Sequence, residues 1–278
     1  MRFTKMQALG NDYVYVNGFS EQVDDPPAVA RAISDRHFGV GADGLILILP
    51  SNKADVRMRM FNSDGSEGEM CGNGIRCVAK YAYDYGLAKE NPMRVETAAG
   101  IKKIELVLGE EGKVSAATVD MGEPVLDAER IPVAMPQNRV IDAPVRVRKY
   151  AYNMTCVSMG NPHAIIFVND VDEVPLGEVG PELEHNPLFP QRANIHFVQV
   201  IAPTEVRMRT WERGSGTTLA CGTGASAVCV AGVLTGRCDR EVAAHLPGGT
   251  LMLRWREDDD HVYMTGPAVE VFSGDWPE

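Results

Sequence analysis

Val56-Arg57-Met58-Arg59 and Cys71-Gly72-Asn73-Gly74 return later in the chain as Val206-Arg207-Met208-Arg209 and Cys221-Gly222-Thr223-Gly224. Both returns fall 150 residues on (206 − 56 and 221 − 71). In the same register Gly10-Asn11 returns as Gly160-Asn161, Val78 as Val228 and Gly86 as Gly236, with no gap. Five matches in one register do not arise by chance, and the period is far longer than a solenoid unit. The sequence therefore encodes two similar halves. Val119-Asp120-Met121-Gly122-Glu123-Pro124 is echoed by Val262-Tyr263-Met264-Thr265-Gly266-Pro267, which puts the end of the first half near residue 120. We read residues 1–120 as one half, carrying Cys71, and 121–265 as the other, carrying Cys221. No low-complexity linker separates them, so tight packing is expected.

The chain of 278 residues is long enough for two domains of ordinary size. Its net charge of −11 argues against nucleic acid and anionic membrane surfaces as partners. Polar residues interrupt the N-terminus before a signal-peptide core can form, and the densest apolar run, Leu45 to Leu49, suits a buried strand. A soluble, cytoplasmic protein is expected, and the pattern leaves a homodimer open. Six cysteines are too few for a disulfide scaffold, and they form no Cys-x-x-Cys pair, so free thiols and no metal site are expected.

Alternation marks strands. Val56, Met58 and Met60 face away from Arg57 and Arg59, Val145 and Val147 from Arg146 and Arg148, and Leu251, Leu253 and Trp255 from Met252, Arg254 and Arg256. Pro26-Pro27 opens a helix carrying Val29, Ala30, Ile33 and His37, with Gly39 as its stop. After Cys71, Ile75, Val78, Ala79 and Ala82 recur at helical spacing up to Gly86. After Cys221, Ala225 to Leu234 is apolar on nearly every side up to Gly236, and such a helix must be buried. Many strands and one buried helix per half predict sheets wrapped around a central helix.

Each repeated cysteine thus stands at the start of a helix. The first backbone N–H groups there lack an internal partner and carry partial positive charge. That position lowers a thiol's pKa and also cradles a carboxylate. Two related halves facing each other across a pseudo-twofold axis would bring Cys71 and Cys221 to one cleft from opposite sides. Inverting a tetrahedral carbon needs this: a base on one face, an acid on the other, and donors that stabilise the developing charge. Cys77, Cys156, Cys229 and Cys238 do not repeat and read as packing residues. A competing reading comes from Gly222-Thr223-Gly224-Ala225-Ser226-Ala227, which fits a dinucleotide fingerprint. The polar stretch Gly214 to Thr218 before it is not the required apolar strand, and the first repeat does not complete the pattern.

Longer motifs carry a family resemblance. Phe61-Asn62-Ser63-Asp64-Gly65-Ser66-Glu67-Gly68-Glu69-Met70-Cys71-Gly72-Asn73-Gly74-Ile75-Arg76-Cys77 resembles the first cysteine signature of the diaminopimelate epimerase family. Trp211-Glu212-Arg213-Gly214-Ser215-Gly216-Thr217 with Ala220-Cys221-Gly222-Thr223-Gly224 resembles the second, and Met6 to Asp12 and Gly160-Asn161-Pro162-His163 resemble two further motifs. The resemblance implies an α/β (α+β) fold of two pseudo-symmetric halves, each a mostly antiparallel barrel-like sheet around a central helix. It also implies that the final strand, within 266–278, joins the first half. The implied reaction is interconversion of LL- and meso-2,6-diaminopimelate, a step of lysine and peptidoglycan precursor synthesis, with no pyridoxal phosphate, metal or nucleotide.

By the same resemblance Cys71 and Cys221 are the acid/base pair, and the amides of Gly72, Asn73, Gly222 and Thr223 hold the reacting carboxylate. Asn11, Asn62, Asn161, Asn194, Glu212 and Arg213 read the rest of the substrate, and His163 and Glu212 tune the thiols. These types suit a substrate with two carboxylates and two ammonium groups: Arg213 offers a fork, Glu212 accepts from an ammonium, and asparagines do either. In Val40-Gly41-Ala42-Asp43-Gly44 the resemblance implies a substrate-contacting glutamine. This chain has Gly44 there, so that contact is expected to be lost or supplied by water. A racemase of the same fold acting on proline, hydroxyproline or histidine is the alternative. The proline group shows Cys-Gly-His-Gly where this chain has Cys71-Gly72-Asn73-Gly74.

Overall fold

The structure, a computed structural model, describes residues 1–277. It separates into unit 1, Met1–Asp120 with Thr265–Glu278, and unit 2, Met121–Met264. Unit 1 runs β1 (Arg2–Ala8), β2 (Asn11–Asn17), α1 (Pro26–Ser34), β3 (Gly44–Leu49), β4 (Val56–Asn62), β5 (Glu67–Gly68), α2 (Gly72–Asp84), β6 (Met93–Thr97), β7 (Gly100–Leu108) and β8 (Val114–Asp120). Unit 2 runs β9 (Ala143–Val147), β10 (Tyr150–Ser158), β11 (Pro162–Phe167), α3 (Leu176–Glu184), β12 (Asn194–Ala202), β13 (Glu205–Glu212), β14 (Gly216–Thr218), α4 (Gly222–Leu234), β15 (Glu241–Leu246) and β16 (Gly249–Trp255). The chain then returns through β17 (Val262–Pro267) and ends in β18 (Val269–Asp275).

The two units use one pairing scheme. In unit 1, β1–β2, β3–β4, β4–β5, β6–β7 and β7–β8 are antiparallel, while β2–β3 and β4–β6 are parallel. In unit 2, β10–β11, β12–β13, β13–β14 and β15–β16 are antiparallel, while β11–β12 and β13–β15 are parallel. Registers repeat as well: Tyr13 faces Gly44 as His163 faces Asn194. Unit 2 adds β9 outside β10, and in unit 1 the corresponding place lies beside β1. The C-terminal strand fills that place, β18 pairing antiparallel with β1. Sheets that are mostly antiparallel thus curl around α2, which packs on β1, β2, β7 and β8, and around α4, which packs on β10, β11, β12 and β16.

The expected alternation is present. Val56, Met58 and Met60 are buried, as are Val145, Val147, Leu251, Leu253 and Trp255, while Arg57, Arg146 and Arg254 face solvent. Arg148 lies beyond β9 with a φ of 50°, in the turn to β10. Ala225, Ala227, Val228, Val230 and Ala231 bury α4 on all sides, each valine contributing roughly 1.5–3 kcal/mol. Helix α1 starts at Pro26 as expected but ends before Gly39, so His37 lies outside it and exposed. The reason is Asp35, whose carboxylate accepts from the His37 and Phe38 amides at 2.7 and 2.8 Å and turns the chain out of the helix. Helix α3, absent from the sequence reading, lies 150 residues from α1 (176 − 26).

Candidate active site

In unit 1, Cys71 caps α2 with extended dihedrals (φ −134°, ψ 119°), which turn its sulfur back over the first helical turn. The Gly74 N–H donates to Sγ at 3.4 Å, and the half-buried thiol donates to Asn11 Oδ1 at 3.4 Å. Asn11 reaches this place because Gly10, at φ 84°, closes the tight turn between β1 and β2. Gly160, at φ 93°, does the same for Asn161 in unit 2, which gives the repeated Gly-Asn pair its physical reason. Asn11 Nδ2 donates to Asp43 Oδ2 at 2.7 Å. The Tyr13 hydroxyl also hydrogen-bonds Asn11. Burial, then Cys71 and Asp43, push that phenol far above its ordinary range, so it stays neutral.

Behind these groups Arg36 Nη2 bridges Asp12 at 2.8 Å and Asp43 at 2.9 Å, and Lys5 Nζ lies 2.6 Å from Asp12. Burial opposes the Asp12 charge, but Arg36 and Lys5 outweigh it and hold the carboxyl below its usual range. Asn73 is buried and its Oδ1 accepts from Arg76 Nη2 at 3.0 Å. Its side-chain oxygen is thus committed inside the helix, and its backbone N–H, with that of Gly72, stands at the helix start. Arg76 is itself fully buried and also donates to the Gly72 carbonyl at 3.0 Å. Asn62 Nδ2 donates to Ser66 Oγ at 3.0 Å and braces the turn leading to Cys71. A side chain at Gly44 would lie 2.0 Å from the Phe61 carbonyl oxygen and 2.7 Å from the Tyr13 ring. With the Phe61 carbonyl and the Tyr13 ring this close, a side chain at position 44 requires the backbone or the ring to shift.

In unit 2, Cys221 caps α4 with similar dihedrals (φ −130°, ψ 105°) and is buried. Its sulfur lies 3.6 Å from Thr223 Oγ1. Burial first, then the Glu212 carboxylate that hydrogen-bonds it, push this thiol far above its ordinary range and keep it protonated. Glu212 also accepts from Thr218 Oγ1 at 2.6 Å. Asn194 is buried with its amide committed, Nδ2 donating to the Pro162 carbonyl at 3.0 Å and Oδ1 accepting from the Arg213 N–H at 3.0 Å. It sets the start of β11 and the Arg213 backbone. The Arg213 side chain donates to the Gln191 carbonyl at 3.0 Å. Buried Glu184 of α3 holds the same turn, accepting from Trp211 Nε1 at 2.8 Å and from the Gly214 N–H at 3.1 Å.

His163 is fully buried, donates from Nε2 to Asn161 Oδ1 at 2.8 Å, and lies 2.9 Å from His196 Nε2 through Nδ1. His196 Nδ1 meets Thr210 Oγ1 at 3.0 Å. Burial lowers both imidazoles, His163 far below its ordinary value and His196 to about 3, so the pair is neutral. A nitrogen of each and the Cys221 sulfur lie within 4.8 Å of one another, a donor set that suits zinc. All four ring nitrogens are already engaged in hydrogen bonds, so none faces a metal in this arrangement.

Within its own unit, then, Cys71 is met by Asn11 and Tyr13, and Cys221 by Glu212, Thr223 and the histidine pair. Asn62 engages Ser66 through Nδ2, Asn73 engages Arg76 through Oδ1, and Asn194 engages protein partners through both side-chain polar atoms. Tyr13, Arg76, Glu184, His196 and Thr210 escaped the sequence reading. For Tyr13 and His163 a signal existed, since they occupy one repeat position (163 − 13) and each engages the preceding asparagine.

The sequence model of the family described as diaminopimelate epimerase matches residues 3–126 and 155–271. The chain belongs to that family. It is 58% identical to the diaminopimelate epimerase of Desulfovibrio desulfuricans, over 99% of this chain and 98% of that protein. It is 57% identical to that of Acetivibrio thermocellus at the same coverage. Among solved structures, a probable proline racemase from Agrobacterium radiobacter has a TM-score of 0.70 at 15% identity, covering 99% of this chain and 92% of that one. A Bacillus anthracis phenazine biosynthesis protein has a TM-score of 0.69 at 17% identity, covering 99% and 98%. At such identities the likeness shows the fold alone. Among the described residues no helix is long and apolar enough to cross a membrane.

Proposed function

We propose that this protein interconverts LL- and meso-2,6-diaminopimelate by proton exchange between two thiols, Cys71 and Cys221, in the cytoplasm and without a cofactor. One observation carries the reading: each unit sets a thiol at the N-terminus of a buried helix, in a family of diaminopimelate epimerases. In the direction where Cys221 acts as acid, its raised pKa makes it the proton donor, and the Cys71 thiolate takes the Cα proton from the other face. The roles exchange in the reverse direction. The amides of Gly72, Asn73, Gly222 and Thr223 hold the reacting carboxylate, where two helix N-termini stabilise the negative charge that grows as the Cα–H bond breaks. Asn11 and Asn161 offer short polar contacts, Glu212 accepts from an ammonium, and the Arg213 guanidinium takes the distant carboxylate. Asn62 and Asn194 also read the substrate, and their bonds to Ser66, Pro162 and Arg213 brace the loops that carry these groups. A neutral His163 bears on Cys221 through its dipole and its hydrogen bonds, not through charge.

The test is solvent deuterium entry at Cα with purified protein and no added cofactor, comparing LL-diaminopimelate with proline and histidine. Exchange confined to diaminopimelate supports the reading; exchange with proline or histidine alone refutes it.

A further inference from the structure

Unit 2 buries a run of polar side chains where unit 1 buries mostly apolar ones. Thr210, His196 and His163 are 2%, 0% and 0% exposed, and their repeat partners are Met60, Ile46 and Tyr13 (210 − 60, 196 − 46, 163 − 13). Packing does not demand an imidazole at 196. A Cβ on Gly224 would lie 2.2 Å from His196 Cε1, just as one on Gly74 would lie 2.8 Å from Ile46 Cδ1, so the same fold position accepts an aliphatic side chain. Buried polar groups cost stability unless every one is paired, and here they are paired end to end.

The direction of the chain is set at its outer end. Asn161 Oδ1 is an acceptor only, so the 2.8 Å contact puts the His163 proton on Nε2. His163 Nδ1 must then accept, so His196 donates from Nε2 across the 2.9 Å contact. His196 Nδ1 in turn accepts from the Thr210 hydroxyl at 3.0 Å. Each group has one role, and the far end is anchored by a hydroxyl on β13. The outcome concerns Asn161: its oxygen is committed inward, and its NH2 group, which donates to no protein atom among the described residues, is left facing outward.

We propose that His196 and Thr210 are positioning residues which, through His163, fix the Asn161 side chain so that its NH2 group meets a carboxylate of the substrate. This rests on the reading above that Asn161 touches diaminopimelate. In unit 1, Tyr13 reaches Asn11 directly, and Ile46 and Met60 need no polar role.

Imidazole 15N spectra of the full-length wild-type protein, labelled at histidine and assigned with His163→Gln and His196→Gln, read the tautomers without substrate. Both rings are expected as neutral Nε2–H forms at pH 7; an Nδ1–H form of either, or a charged ring, overturns the proposal. In kinetics, Thr210→Val and His196→Ile are each expected to raise KM for LL-diaminopimelate about tenfold, the worth of one well-placed hydrogen bond, with kcat within about threefold. Thr210→Ser restores the wild-type KM. An unchanged KM in both variants overturns the proposal, and so does a matching loss in Thr210→Ser. Asn161→Ala separates the two readings. A raised KM there with silent Thr210→Val and His196→Ile sinks only the positioning chain, whereas a silent Asn161→Ala removes Asn161 from the site altogether.

Discussion

Replacing Gly224 with alanine measures how closely the start of α4 is fitted to the polar chain beneath it. The added Cβ would lie 2.2 Å from His196 Cε1, 2.8 Å from Nε2 and 2.9 Å from Nδ1. Carbon contacts become comfortable near 3.5 Å, so the ring must retreat by about 1 Å. It is held at both nitrogens, by hydrogen bonds of 2.9 and 3.0 Å, and that retreat stretches both past any useful length. Overpacking of about 1–3 kcal/mol adds to about 1–3 kcal/mol for buried groups left unpaired, a loss of roughly 2–6 kcal/mol. At about 2–4 °C per kcal/mol for a chain near this size, Tm is expected to fall by roughly 10 °C. The repeat supplies the control. The Cβ of Gly74→Ala would meet Ile46 Cδ1 at 2.8 Å and Met58 Cε at 3.3 Å, the ends of flexible side chains that can turn aside. Its cost is expected to stay under about 1 kcal/mol. Differential scanning calorimetry on both variants is the assay. A Gly224→Ala Tm within about 2 °C of wild type, or an equal fall in Gly74→Ala, refutes the reasoning.

Cys71→Ala and Cys221→Ala are each expected to abolish epimerisation while circular dichroism stays native; near-normal turnover in either removes that thiol from the chemistry. The Glu212 carboxylate raises the Cys221 pKa, so Glu212→Gln lowers it and enlarges the thiolate fraction at a given pH. Mass-mapped iodoacetamide labelling of Cys221 should therefore begin at lower pH in that variant, and an unshifted or opposite profile counts against the electrostatic account. Asp12 is held below its ordinary value by Arg36 and Lys5 against burial, so its stabilisation is full above about pH 4 and fades as pH falls through the lower folded-state pKa. Denaturant melts of Asp12→Asn should accordingly show a deficit at pH 7 that shrinks toward pH 2, and a constant deficit contradicts the linkage. Arg213→Ala should raise KM for diaminopimelate with a smaller change in kcat, and an unchanged KM moves the distal carboxylate elsewhere.

The duplicated register was legible because the positions that carry it are under the tightest backbone constraint. Gly10 and Gly160 need positive φ, and Gly74 and Gly224 lie flush against a side chain below. Strands were legible from alternation, as at Val56 to Met60. Helix α3 was not, because Pro175, Gly177, Gly180 and Pro181 argue against a helix by composition. Gly180 is there because a Cβ would lie 2.7 Å from the Trp211 ring, a tertiary demand that overrides propensity. Of the site, the helix-start thiols and the Gly-Asn turns showed in the sequence. Glu184, His196 and Thr210 did not, since their repeat partners Ser34, Ile46 and Met60 differ in type and only the fold reveals which polar groups are buried together. The same blindness hides that Asn73 Oδ1 and both polar atoms of the Asn194 amide bond to protein partners.

The strand that completes unit 1 comes after the whole of unit 2 in chain order. Met1 and Trp276 exchange backbone hydrogen bonds of 3.0 and 2.8 Å, which brings residues 1 and 276 together. Unit 2 is synthesised before β18, and until β18 emerges the edge of β1 that it covers is open to pairing with other chains. Joining the chain after Trp276 to Met1 through a short linker and cutting near residue 265 would give a circular permutant in which each unit is one uninterrupted stretch. Such a rearranged gene would let the first unit fold while the second is still being synthesised.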